Sequence, residues 1–157
     1  MFDRLLPRRL DKTYRGRRLA LCLFALVALM RTLLSLVVIF NGYSTAMTAD
    51  GIPLDTYPAA AAQTIVAIFA LSGLYRLILS LLCVLVLVRY RAAVPFMFLV
   101  LLLNYLAAQL ILRFVPIVRV GAPPASVVNL TLMALTAVGL ALSLWKRRDE
   151  KLNEPVN

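Results

Sequence analysis

Two arginines and an asparagine stand in the middle of long apolar runs, and they are the residues whose chemistry the sequence has to explain. Arg31 lies twelve residues after Leu19, Arg76 twelve residues before Val88, and Asn104 twelve residues after Ala92. At about 1.5 Å per helical residue each sits about 18 Å from the same end of its run, near the centre of a bilayer whose apolar core is about 30 Å thick. An arginine at that depth costs between about 3 and more than 10 kcal/mol, depending on how far it can snorkel. Its charge is permanent at any physiological pH. Two such groups need carbonyls, amides, water, a lipid phosphate, a bound anion or an acid from a partner protein. A ligand carrying a phosphate, a carboxylate or a quinone oxygen suits them, and Arg31, Arg76 and Asn104 are the candidate binding residues.

Their helical neighbours are small or polar. Ala28, Arg31, Thr32 and Ser35 share one face of the first run, and Ser72, Gly73, Arg76, Ser80 and Cys83 share one face of the second. The third run offers Asn104, Ala107 and Ala108, with Tyr105 and Gln109 slightly rotated, and the fourth repeats Asn129, Thr136 and Ser143 every seven residues. A seven-residue period is that of left-handed helix packing. Small residues let backbones approach, and hydroxyls and amides bond across helices inside a membrane. The simpler reading is therefore a polar glue for a helix bundle. Both arginines are expected to point into the bundle, held apart by polar groups, with the Asn104 amide oxygen as an acceptor.

Other chemistry is thinly represented. All seven acidic residues, Asp3, Asp11, Asp50, Asp55, Asp149, Glu150 and Glu154, lie outside the apolar runs. A proton-coupled carrier normally needs a titratable group within the membrane. The layout resembles that of the small multidrug resistance transporters, but their hallmark glutamate in the first helix has no counterpart here. There is no histidine, no Gly-rich phosphate loop, no GxSxG and no HExxH, so neither a base for a nucleophile nor the usual metal ligands are at hand. Cys22 and Cys83 both lie inside apolar runs, without CxxC spacing, and read as free packing residues in the cytoplasmic leaflet. Neither an enzyme, a cofactor nor a metal site is expected.

The elements that must position these residues are plain. Of 157 residues 62% are hydrophobic and 15% charged, far from the soluble average of about half and a quarter. Four runs, 19–40, 59–88, 92–112 and 125–145, contain 22, 30, 21 and 21 residues, and about 20 suffice to span. The second is longer than needed, so its 59–63 start lies at the interface or the helix tilts. Pro58, Pro95 and Pro124 stand in first turns, Gly42 and Pro116 follow ends, and Tyr14, Tyr90, Trp145, Tyr43 and Tyr57 sit at the expected interfaces. The fold class is all-α: a polytopic four-transmembrane-helix bundle forming one membrane domain over 1–157.

Charge gives orientation. The net charge is +10, and the excess crowds the run ends instead of forming a nucleic-acid patch, so no nucleic-acid partner is expected. Residues 1–18, the 89–91 turn and the 146–157 tail hold thirteen Lys and Arg; the opposite side holds only Arg113 and Arg119. Both termini are thus expected in the cytoplasm. Phe2, Leu6, Leu10 and Tyr14 recur every four residues among basic ones, which fits either a short helix on anionic lipids of the cytoplasmic face or a solvated basic tail. A cleaved signal peptide is the rival reading of the first run, and Arg31 would interrupt its apolar stretch. Arg outnumbers Lys fourteen to three, a composition in keeping with a GC-rich bacterial genome.

Arg31 ahead of Gly42, the stretch Gly73-Leu74-Tyr75-Arg76-Leu77, and Val120-Gly121-Ala122-Pro123-Pro124 before the last run make the chain resemble the DoxX-like four-helix bacterial membrane proteins. The resemblance covers most of the chain by topology and rests on short motifs. It implies a protein of the bacterial inner membrane, sometimes an accessory in redox or transport systems, and supplies no catalytic residues. The leading expectation is a non-enzymatic accessory or structural subunit that packs with itself or within a larger membrane complex. The alternative is a small carrier, or a lipid- or anion-binding protein, using Arg31 and Arg76.

Overall fold

The computed structural model describes residues 18–145. The basic segment before Arg18, with its possible interfacial helix, and the tail after Trp145 lie outside the described residues.

Four long helices carry the fold: α1 Arg18–Phe40, α2 Ala59–Arg89, α3 Val94–Phe114 and α4 Pro124–Leu144. All four are long and apolar enough to cross a membrane, and no strand occurs among the described residues. The chain is an all-α, multi-pass four-helix bundle, as its hydropathy pattern requires. α2, with 31 residues, is about 46 Å long and exceeds the apolar thickness. α3 begins and ends two residues later than the apolar run indicates. A 3-10 turn at Arg91–Ala93 precedes it with Pro95 in its first turn, and the helix continues through Arg113 until Val115, the residue whose backbone Pro116 restricts.

Both described ends, Arg18 and Trp145, lie at one end of the bundle together with the Tyr90–Ala93 turn; the 41–58 and 115–123 loops lie at the other, the loop end. At the terminal end Ala20, Phe24, Val27, Ala28, Cys83, Val94, Met97, Phe98 and Leu101 form a sealed apolar core. Phe24 and Phe98 meet edge to face, 5.0 Å between centroids at 71°, the arrangement ring quadrupoles favour. At the loop end the chain after α1 makes a short helical hook, Gly42–Ser44 continued by a π turn at Thr45–Ala49. It folds Ala46, Ile52 and Leu54 down onto Ala62, Ile65, Val66 and Phe69 of α2. Val120 N–H donates to the Gly51 carbonyl at 2.8 Å, so the two loops are clasped together.

The packing order around the bundle is α2, α1, α4, α3. α1 packs along α2 and against α4, α3 leans on α4, and α2 and α3 meet over only a short stretch beside their connecting turn. Every buried residue of α3 precedes Leu102. From Leu103 to Phe114 all are exposed except the half-buried Tyr105 and Leu112. The loop-end half of α3 therefore stands away from α2. The outer faces carry exposed Leu, Ile, Val and Phe throughout, which calls for hydrocarbon and not water around them.

Candidate functional site

Arg31 sits where the terminal-end core stops. It is 6% exposed, on the α1 face that also buries Phe24, Val27, Ala28, Ser35 and Val38. α1 and α2 are drawn together one turn further on by Gly73: a Cβ there would come within 2.9 Å of Ile39 Cγ1 and 3.2 Å of the Ser35 carbonyl. Only the missing side chain permits that approach. Arg31 is thus fixed by backbone packing on one side. On the other, its guanidinium carbon lies 5.0 Å from the centroid of the Tyr105 ring, a cation–π contact that gains strength away from water.

That contact leaves the guanidinium short of partners. Arg31 Nε is shielded from solvent and has no hydrogen-bond acceptor. A buried unpaired donor costs about 1–3 kcal/mol, and more on a charged group. No ion pair is made by Arg31 among the described residues.

Arg76 is placed differently from expectation. Gly73, Arg76, Ser80 and Cys83 do share one face of α2, and Gly73, Ser80 and Cys83 are buried. Arg76 on the same face is exposed. That face packs on α1, where Gly73 closes on Ser35, Val38 and Ile39, and the Arg76 side chain lies outside that contact. Asn104 is exposed as well, and among the described residues no hydrogen bond joins it to either arginine, so the enclosed Arg31–Arg76–Asn104 cluster is not formed. Tyr105 occupies the place expected of Asn104 and offers a ring face instead of an amide oxygen.

The expected interhelical hydrogen bonds are also replaced. Thr32 donates to the Ala28 carbonyl, Ser35 to Arg31, Ser80 to Arg76 and Leu77, Thr136 to Leu132, and Ser143 to Leu140. Each hydroxyl bonds back into its own helix, where an acceptor three or four residues earlier is always in reach. The stripes pack as small residues: Thr136 and Ser143 are buried on the same face of α4, with Asn129 half-buried beyond them. Arg31–Ser35 and Arg76–Ser80 repeat one local arrangement, the serine hydroxyl bonded to the arginine's own carbonyl.

Two loop residues complete the site, and the sequence marked them only as a turn and a stray charge. Asp50 is half-buried under the hook. Burial raises its carboxyl above the ordinary value, while the Arg119 and then the Arg76 guanidinium pull it down less strongly. Arg119 donates through Nη1 to Ser126 Oγ at 3.3 Å, and its Nε is shielded without a partner. Arg119 and Arg76 both act on the Asp50 carboxylate, and none of Arg31, Arg76, Arg119 and Asp50 makes an ion pair closer than 4.0 Å among the described residues. Cys22 and Cys83 are both free, the first exposed on the lipid-facing side of α1 and the second buried.

No family profile, no curated protein and no solved structure matches the chain.

Proposed function

We propose that the chain is a non-enzymatic protein of the bacterial cytoplasmic membrane that holds an anionic group at Arg31 and Arg76, as a small carrier or ligand-binding subunit. The observation that carries this reading is Arg31: a permanent charge at mid-membrane, 6% exposed, with a sealed Nε–H that nothing in the chain accepts. An anion beside it would supply a charge-assisted acceptor and offset the repulsion from Arg76 at once. The exposure of Arg76 favours a site reached from outside over a purely structural polar seam. With thirteen Lys and Arg on the terminal side against two on the other, the reading takes both termini as cytoplasmic and the loop end as facing away from the cytoplasm.

A second reading, an accessory subunit of a larger complex, draws on the unpartnered stretch from Leu103 to Phe114, which a helix of another protein could cover. Native mass spectrometry of the protein released from a neutral detergent separates the two. Wild type is expected to retain an anionic adduct that Arg31→Gln loses while staying folded. Equal adducts on both proteins, or none on either, would remove the anion-binding reading.

A further inference from the structure

The sealed Nε of Arg31 and the Tyr105 ring belong to one arrangement. The guanidinium carbon lies 5.0 Å from the ring centroid. Nε, bonded directly to that carbon, is shielded from solvent and has no acceptor. An anion cannot reach this N–H while every side chain keeps its place, so part of the site has to move. The α1–α2 side is locked. A Cβ at Gly73 would fall 3.1 Å from Val38 Cγ1 and 3.2 Å from the Ser35 carbonyl, and the Ser35 hydroxyl is tied to the Arg31 carbonyl at 2.7 Å. Phe24, Val27 and Ala28 close the terminal-end side. Tyr105 is held more loosely. It is half-buried, lies beyond Leu101, the last buried residue of α3, and has exposed neighbours in Leu103, Asn104, Leu106 and Ala107. Its hydroxyl makes no hydrogen bond among the described residues.

Resting on the reading that Arg31 holds an anion, we propose that Tyr105 sets the affinity of that site: its ring face and the anion take turns on the same guanidinium. A cation–π contact strengthens as water is removed. It accounts for an arginine that stays packed at 6% exposure with an unpaired Nε. The ring face is nevertheless the weaker partner, because a full negative charge also accepts the N–H hydrogen bonds that a ring leaves unmade. The exchange therefore favours an anion. A neutral molecule has to displace the ring and gains little from the guanidinium in return. The conformation with the ring swung away is the binding-competent one, and the apparent affinity is reduced by the fraction of the protein that occupies it. Tyr105 thus acts through Arg31 as a positioning residue, and removing its ring face should tighten binding instead of weakening it.

The test is titration of the full chain in nanodiscs of neutral lipid with hexadecanoate, and with hexadecanol as the uncharged control, in wild type, Tyr105→Phe and Tyr105→Leu. Binding is read from the midpoint of the shift of the Arg31 Nε–H resonance, and folding from the melting temperature without ligand. Tyr105→Leu should bind hexadecanoate about tenfold more tightly, the worth of a desolvated cation–π contact, although the lost ring packing lowers its melting temperature. A tyrosine with a merely structural role would not raise affinity. Tyr105→Phe keeps the ring face and should bind as wild type does. Hexadecanol should leave the resonance unmoved in all three. Weaker binding in Tyr105→Leu would make the ring a support for Arg31 and overturn the exchange, and so would an unchanged affinity. If Tyr105→Leu does not fold, Tyr105→Trp tests the opposite sign: indole is the stronger face, so binding should weaken several-fold, and equal or tighter binding overturns the proposal. If hexadecanoate binds none of these proteins, or hexadecanol matches it, the anion reading itself falls and the exchange falls with it.

Discussion

Replacing Gly139 by alanine tests whether the terminal-end core is as tightly closed as the site above it requires. An alanine in a helix interior is favoured over glycine by about 1 kcal/mol, so with free space the change would stabilise the protein. Gly139 faces no free space. A Cβ built there falls 2.5 Å from Phe98 Cε1, closer still to Cζ, and 3.2 Å from Cε2. Comfortable carbon contacts need about 3.5–4.0 Å, so the ring must retreat by about 1 Å. Phe98 is fully buried and its ring is held edge-on by Phe24 at 5.0 Å. Overpacking of this kind costs about 1–3 kcal/mol, which outweighs the propensity gain in most of its range. Gly139→Ala should therefore lower stability by up to about 2 kcal/mol, read by denaturant or thermal unfolding in detergent. Phe98→Leu removes the obstructing ring atoms, and on that background the same alanine should be neutral or stabilising. The two changes should be coupled by about 1 kcal/mol or more in a double-mutant cycle. A stabilising Gly139→Ala in the parent protein would refute the close α3–α4 contact.

Gly51→Ala should destabilise by more than Gly121→Ala: both glycines have positive φ, 69° and 76°, but only at Gly51 does a Cβ meet the Val120 carbonyl, at 3.0 Å. Unfolding midpoints that rank the two alike would mean the clasp contributes nothing. Asp50 gives a pH signature. Its carboxyl is raised from the ordinary 3.8, chiefly by burial, so the folded chain keeps this proton to higher pH than the unfolded one. The stabilisation is full below 3.8 and is lost as pH rises through the folded value. Wild type should gain stability on acidification from neutral pH, and Asp50→Asn should flatten that profile; a profile unchanged by the substitution contradicts the burial of Asp50. With two free thiols, one exposed and one buried, a bilayer-soluble maleimide should label Cys22 well before Cys83, and equal labelling would contradict the packing of α1 on α2.

Much of the architecture was legible because hydrophobic length is a direct readout of membrane thickness. The spans and the prolines that open them follow from composition and length, and the inward faces of α1 and α4 from a 3.6-residue period; Asn104, Ala107 and Ala108, the face expected of α3, are instead exposed. Gly73, Arg76, Ser80 and Cys83 were correctly grouped on one face, yet that grouping did not say whether the face meets a neighbour. Which residues of that face are covered depends on where α1 crosses it, fixed by the close approach at Gly73, a non-local contact that no local pattern records. Tyr105 was visible only as a rotated neighbour of Asn104, because aromatic rings in membrane helices are commoner as packing groups than as cation partners. Asp50 was read as a turn residue beside Gly51. Its approach to Arg76 comes from the hook at Gly42–Ala49 folding Ile52 and Leu54 onto α2, and short apolar loop residues give little warning of that. The hydroxyl stripes were placed on the right faces, but their bonds run within helices because the nearest carbonyl is intrahelical.

The most direct test of the anion site is the Nε–H resonance of Arg31, followed by nitrogen-15 NMR of the arginine side chains in lipid nanodiscs and assigned by its loss in Arg31→Gln. An acceptor moving onto a previously unbonded guanidinium N–H changes that resonance more than any other arginine's. On titration with hexadecanoate, an anion that partitions into the bilayer, the Arg31 signal should shift progressively and saturate, with a smaller shift at the exposed Arg76. A titration that leaves Arg31 unmoved while the protein stays folded would contradict the account.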